Sequence, residues 1–234
     1  MDTPLNNKNI TFFLILLIAT LSPKSFSFDG CDNKTSGHAC IEITVNSQAG
    51  ETLQDIVVYL EPMDGQVLAQ SSKEVVIGQR GKSFTPYISV SQVNAQVNFT
   101  NQDDITHHIY SAGSDNKFSF KIRAGQTNNS TQFSHASEVA MGCNIHDWMS
   151  GYLLVLNTPY FAKTDKVGQV KFEVTQQGQY RVVVWHPQMQ SKDHRMDKSV
   201  LIESDTNLIF TLDDDMAAIP LQKSDDDFDF LSDY

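Results

Sequence analysis

Cys143, His146 and Met149 follow one another at three-residue steps in Gly142-Cys143-Asn144-Ile145-His146-Asp147-Trp148-Met149. A thiolate, an imidazole and a thioether form the soft and borderline donor set that a redox copper ion takes. One more imidazole completes that set, and His107-His108 stands upstream in a β-rich stretch. Zinc is the rival metal, but structural zinc sites use several cysteines or a closed Cys/His set. A thioether in fourth place favours copper. Against these stand two plainer readings, Met149 as core filler beside Trp148 and His146 as a structural histidine.

Ligands at three-residue steps belong on a loop, where they curl around one ion; a strand would spread them over both faces. Val139-Ala140 reads as the strand entering that loop, and Gly151 to Val155 as the strand leaving it. The rest of the chain has the same character. Strand candidates are 41–45, 56–60, 74–77, 87–90, 95–100, 108–111, 118–122, 138–142, 152–156, 170–174, 180–185, 199–202 and 207–212. Gly, Asn and Asp stand between them, and almost nothing carries a helical period. The expected fold class is an all-β sandwich with Greek-key connections.

Three cysteines bear on the compartment. Lys8, the apolar run Ile10–Leu21 and the small residues Ser25 and Ser27 read as a secretory signal over residues 1–27, with cleavage before Phe28. The run is short for a membrane span, so an uncleaved anchor is the weaker reading. Export to the periplasm puts Cys31 and Cys40, which flank a polar loop, in a compartment where such a pair closes a disulfide. Cys143 is then left alone, and metal ligation is the engagement that keeps a lone exported thiol from oxidation.

The chain has 234 residues and a formal net charge of −11. That charge argues against nucleic-acid binding and favours a basic protein partner. Asp213–Asp215, Asp225–Asp227, Asp229 and Asp233 gather after residue 212, and residues 213–234 read as an acidic disordered tail.

The copper segment and the strands before it resemble the cupredoxins, the small blue copper proteins. Cys-x₂-His-x₂-Met is similar to the amicyanin loop. Phe84-Thr85-Pro86-Tyr87-Ile88-Ser89-Val90 resembles the family's F-x-P-x-x-[IV]-x-[IV] strand. Val97-Asn98-Phe99-Thr100-Asn101 with Thr106-His107-His108-Ile109 resembles the segment carrying the first histidine. The resemblance covers residues 73–157 and implies a single copper ion cycling between Cu(I) and Cu(II). It implies His107, Cys143, His146 and Met149 as the metal ligands. His108 falls where many cupredoxins have an asparagine that ties the ligand loops, which leaves His107 and His108 in competition for the first position. Asn144 follows the cysteine, where a backbone N–H to sulfur bond would tune the potential.

Residues 41–60 and 164–187 are similar to carboxypeptidase-regulatory-like β-sandwich modules, on Thr164-Asp165-Lys166-Val167-Gly168 and Gly178-Gln179-Tyr180. The resemblance implies a cupredoxin domain (73–157) set between the first strands of a flanking sandwich (28–72) and its remaining strands (158–212). The whole resembles the plastocyanin-like proteins labelled methylamine utilisation proteins. The implied function is periplasmic one-electron transfer to a redox protein partner, a basic cytochrome or dehydrogenase, with no enzymatic step and no membrane span in the mature chain. A copper carrier, sensor or accessory protein is the alternative, favoured by a second sandwich and acidic tail that a minimal shuttle does not need.

Overall fold

A computed structural model describes residues 38–70, 73–113 and 115–222. The expected leader, the Cys31 half of the Cys31–Cys40 pairing and residues 223–234 lie outside the described residues.

The first strands are β1 (Ala39–Asn46) and β2 (Val57–Pro62). β3 (Val75–Gln79), β4 (Phe84–Thr85), β5 (Ile88–Gln92), β6 (Gln96–Asn101), β7 (His107–Ala112) and β8 (Ser119–Ile122) follow. Then come β9 (Thr127–Gln132), β10 (Ser137–Cys143), β11 (Ser150–Leu156) and β12 (Phe161–Lys163). β13 (Gln169–Val174), β14 (Gly178–Trp185), β15 (Arg195–Ile202) and β16 (Thr206–Thr211) complete the series.

Within the described residues these strands form two all-β sandwiches. One packs the sheet β5-β11-β10-β7-β8 on β4-β3-β6-β9, around Ile77, Val97, Phe99, Ile109, Val139 and Leu153. The other, the flanking sandwich, packs β13-β1-β16 on β12-β2-β14-β15, around Ile41, Ile43, Val58, Leu60, Val182 and Phe210. The chain leaves the flanking sandwich after β2 and returns to it at β12.

Hydrophobic patterning explains how the two sandwiches meet. Val57 to Leu60 and Val182 to Trp185 are continuous apolar runs, and every residue in them is buried. Such runs belong to strands covered on both faces. Val58, Leu60, Val182 and Val184 face the flanking core, while Val57, Tyr59, Val183 and Trp185 face the other way. There they meet Ile88, Leu154 and Leu156 of β5 and β11 in a shared apolar layer. β11 does the same in reverse, sending Leu153 and Val155 into its own sandwich.

Turn chemistry fixes the return into the flanking sandwich. Asp165 Oδ1 accepts the amides of Val167 and Gln169, both at 2.9 Å. Gly168 takes φ +73°, and a Cβ there would stand 2.8 Å from the Val45 carbonyl. Only glycine meets both demands.

Residues 213–222, which the sequence places in a disordered acidic tail, are instead held against the protein. The Ala217 amide donates to the Gln188 carbonyl, and Gln222 bonds to Ser150. The side chains of Met216 and Gln222 supply contacts that charge patterning does not register.

Candidate metal centre

Strand alternation decides which histidine turns inward. In β7 His107 and Ile109 are buried while His108 and Tyr110 are partly exposed, the two-residue period of a half-covered strand. β10 runs antiparallel beside it, with Cys143 paired to Ile109. Val139, Met141 and Cys143 share the inner face of β10, so the thiol and the His107 ring enter the same space.

The loop after β10 supplies the next donor. Asn144, Ile145 and Asp147 point outward, whereas His146 and Met149 are buried. A turn bonded from the Met149 amide to the His146 carbonyl at 3.0 Å folds the loop back on itself. Met149 is 1% exposed and packs in the same apolar cluster as Cys143.

Cys143 Sγ lies 3.7 Å from His107 Nδ1 and 3.8 Å from His146 Nδ1. All three donor atoms lie within 4.8 Å of one another. Metal–sulfur and metal–nitrogen bonds of about 2.3 and 2.0–2.1 Å, opened by roughly 120°, separate S and N by about 3.7–3.8 Å. Both sulfur–nitrogen spacings therefore match those around one trigonally held ion.

Asp103, which sequence reasoning passed over, orients the first imidazole. Its Oδ2 sits 2.8 Å from His107 Nε2. The carboxylate is gripped in turn by the Gly81 amide at 2.5 Å and the Lys82 amide at 2.9 Å. Gly81 and Lys82 have φ +63° and +58°, so their successive amides form an anion-binding concavity between β3 and β4. Burial alone would raise the Asp103 carboxyl. Hydrogen bonds from the Lys82 amide, His107 and the Gly81 amide outweigh it and hold the group below the ordinary carboxylate value. An ionised carboxylate only accepts, so Nε2 carries the proton, and in the neutral ring Nδ1 turns a lone pair toward Cys143. An acidic residue four positions before the buried histidine was the available signal.

His146 is kept neutral by its surroundings. Burial first, then the neighbouring His107 ring and the Lys82 ammonium, push it below its ordinary value, against an opposing pull from Asp103. Its ring leans on Trp148 at 5.2 Å between centroids and on His107 at 5.1 Å.

His108 lies outside this group. Its Nδ1 is 3.1 Å from Asn144 Nδ2, its Nε2 is 3.0 Å from Ser119 Oγ, and its carbonyl accepts the Asn144 amide at 2.9 Å. The expected Asn144 N–H to sulfur bond is therefore not made. The ladder between β7 and β10 runs one residue past Cys143 and takes that amide. His108 thus ties the two ligand-bearing segments together, the part that the resemblance gives to an asparagine.

The remaining histidines stand apart from the cluster. His38 pairs with Glu173 at 2.6 Å, His135 with Ser134 at 2.8 Å, and the buried His186 accepts the Gln188 amide. His194 lies 3.7 Å from Glu138.

No family model matches the sequence, and no curated protein matches it. Solved structures are similar to part of the chain. An oxidized amicyanin mutant has 15% identity and a TM-score of 0.32, over 35% of this chain and 80% of that one. A purple cupredoxin from Nitrosopumilus maritimus has 21% identity and a TM-score of 0.32, over 35% of this chain and 98% of that one. A copper-containing nitrite reductase from Thermus scotoductus has 22% identity and a TM-score of 0.34, over 41% of this chain and only 25% of that one. Among the described residues no helix is long and apolar enough to cross a membrane.

Proposed function

We propose that the chain is a periplasmic type 1 copper protein that carries single electrons, with His107, Cys143, His146 and Met149 as ligands. The observation that carries this reading is the thiol of Cys143 set between two imidazole Nδ1 atoms at 3.7 and 3.8 Å in a buried site. Bound copper supplies a one-electron couple between Cu(I) and Cu(II).

The protein's own residues do the rest. β7 and β10 fix two donors on a rigid ladder, and Asp103 holds the His107 proton at Nε2, leaving Nδ1 free to bind. The neutral His146 needs no deprotonation to ligate. His146 is 7% exposed beside the 53%-exposed Ile145, which brings one imidazole edge close to a docked partner. With Met149 as a fourth donor, a bound ion would have no open position for a substrate, which supports a carrier over an enzyme. The net charge of −11 favours a basic redox protein as partner, such as a cytochrome or dehydrogenase. The signal-like residues 1–27 support export.

Redox titration with stopped-flow reduction tests the proposal. Fast, reversible one-electron cycling of a coloured Cu(II) form is expected. Copper held only as colourless Cu(I) contradicts electron transfer and supports the second reading, a copper carrier or accessory protein. The flanking sandwich, whose apolar face covers β5 and β11, favours that alternative because a shuttle does not need it.

A further inference from the structure

The segment that follows β16 leaves the flanking sandwich and reaches Ser150, the residue after Met149. Met216 packs on the flanking core, and the Ala217 amide donates to the Gln188 carbonyl at 2.9 Å. Gln188 in turn donates to the Tyr87 hydroxyl at 2.9 Å, which brings the segment across to the other sandwich. Further along, Gln222 Oε1 accepts the Ser150 amide at 3.0 Å, and Gln222 Nε2 donates to the Ser150 hydroxyl at 3.0 Å. The Gln222 carbonyl accepts the Ser83 hydroxyl at 2.9 Å.

These partners occupy telling places. Ser150 directly follows Met149 and starts β11, so its amide is the first fixed point after the ligand loop. Ser83 closes the turn whose Gly81 and Lys82 amides grip Asp103, and Asp103 holds His107. One residue therefore binds the outgoing end of the Cys143–Met149 loop and the turn behind the first imidazole. Its two side-chain bonds to Ser150 use both ends of the amide, a match that only Gln or Asn chemistry provides.

We propose that Gln222 is a positioning residue that clamps the ligand loop, and that residues 213–222 form the strap by which the flanking sandwich holds the metal centre. The link to metal retention rests on the copper reading; the clamp itself is a property of the metal-free chain. The strap gives the second sandwich a role that a free-standing shuttle lacks. A loop fixed at its outgoing end opens less readily, which slows metal release.

The experiment compares the full chain with Gln222→Ala, Gln222→Glu and Ser83→Ala. Backbone amide exchange of Ser150 is read first, in metal-free protein. Gln222→Ala is expected to speed that exchange about fivefold to thirtyfold, the range for one or two lost hydrogen bonds. Gln222→Glu keeps the oxygen acceptor and restores protection, while Leu153 and Val155 exchange as in the wild type. Release of Cu(II) to a chelator is read second. It quickens by a similar factor in Gln222→Ala and by less in Ser83→Ala.

Unchanged Ser150 exchange in Gln222→Ala overturns the clamp. Altered exchange with unchanged release overturns its link to the metal centre. A wild-type chain that takes up no copper contradicts the metal reading instead, and the exchange arm still decides the clamp.

Discussion

Asp103 and His107 form a carboxylate–imidazole pair, Oδ2 to Nε2 at 2.8 Å, in which the imidazole is fully buried and the carboxylate half-buried. The pair fixes the tautomer and aim of the ring, because a carboxylate held by two backbone amides has no proton to give. Second partners of this kind raise ligand basicity and pre-set the geometry that a metal needs.

Replacing Asp103 by Asn tests that relationship at nearly constant shape. The amide offers one acceptor oxygen where Gly81, Lys82 and His107 present three donors. Copper affinity is expected to fall about 10–100-fold. The metal-free protein should lose about 1–3 kcal/mol through the unsatisfied donors. Chelator competition and urea unfolding measure the two effects, and wild-type values in both would show that the pair is incidental.

Gly151 stands one residue past Ser150, and a Cβ there would lie 2.9 Å from Phe84 Cβ and 3.1 Å from Cγ. Phe84 is 3% exposed and has no room to yield. Gly151→Ala should cost about 1–3 kcal/mol by overpacking. Thermal unfolding at equal pH checks this, and an unchanged Tm would mean that β4 moves away freely.

His186 makes stability depend on pH. Burial is the main cause that pushes it down to about 4, with Lys163 adding to the effect and Asp55 opposing it. The unfolded chain takes up this proton below about pH 6.5, whereas the folded chain refuses it until about pH 4. The contribution is therefore complete above pH 6.5 and is lost as pH falls toward 4, by roughly 3 kcal/mol in all. Urea unfolding of the wild type and His186→Gln across this window should give a shallower slope for the variant. Parallel slopes would assign the pH dependence to other groups.

Much of the fold was legible because burial writes itself into strand patterning. Alternation in Ile41 to Val45 and continuous apolar runs in Val57–Leu60 and Val182–Trp185 identify strands and the faces they hide. β9 and β12 escaped notice for physical reasons, and β4 entered only within the Phe84–Val90 resemblance, not as a strand of its own. β4 and β12 are too short to show a period, and β9 (TNNSTQ) carries no apolar side chain; ladder bonds to β6 hold it. At the candidate site, the spacing of Cys143, His146 and Met149 is local and could be read directly. Asp103 owes its role to amides of a turn more than twenty residues earlier in the chain. Gln222 owes its own to a partner 72 residues away. Contacts of that range leave no periodic trace in sequence.

The visible spectrum of the purified chain after addition of Cu(II) decides whether Cys143 binds copper. An intense thiolate-to-copper band in the red is expected, abolished in Cys143→Ser while the fold is retained. Copper uptake without that band, or equal copper content in the wild type and Cys143→Ser, would contradict copper binding by Cys143.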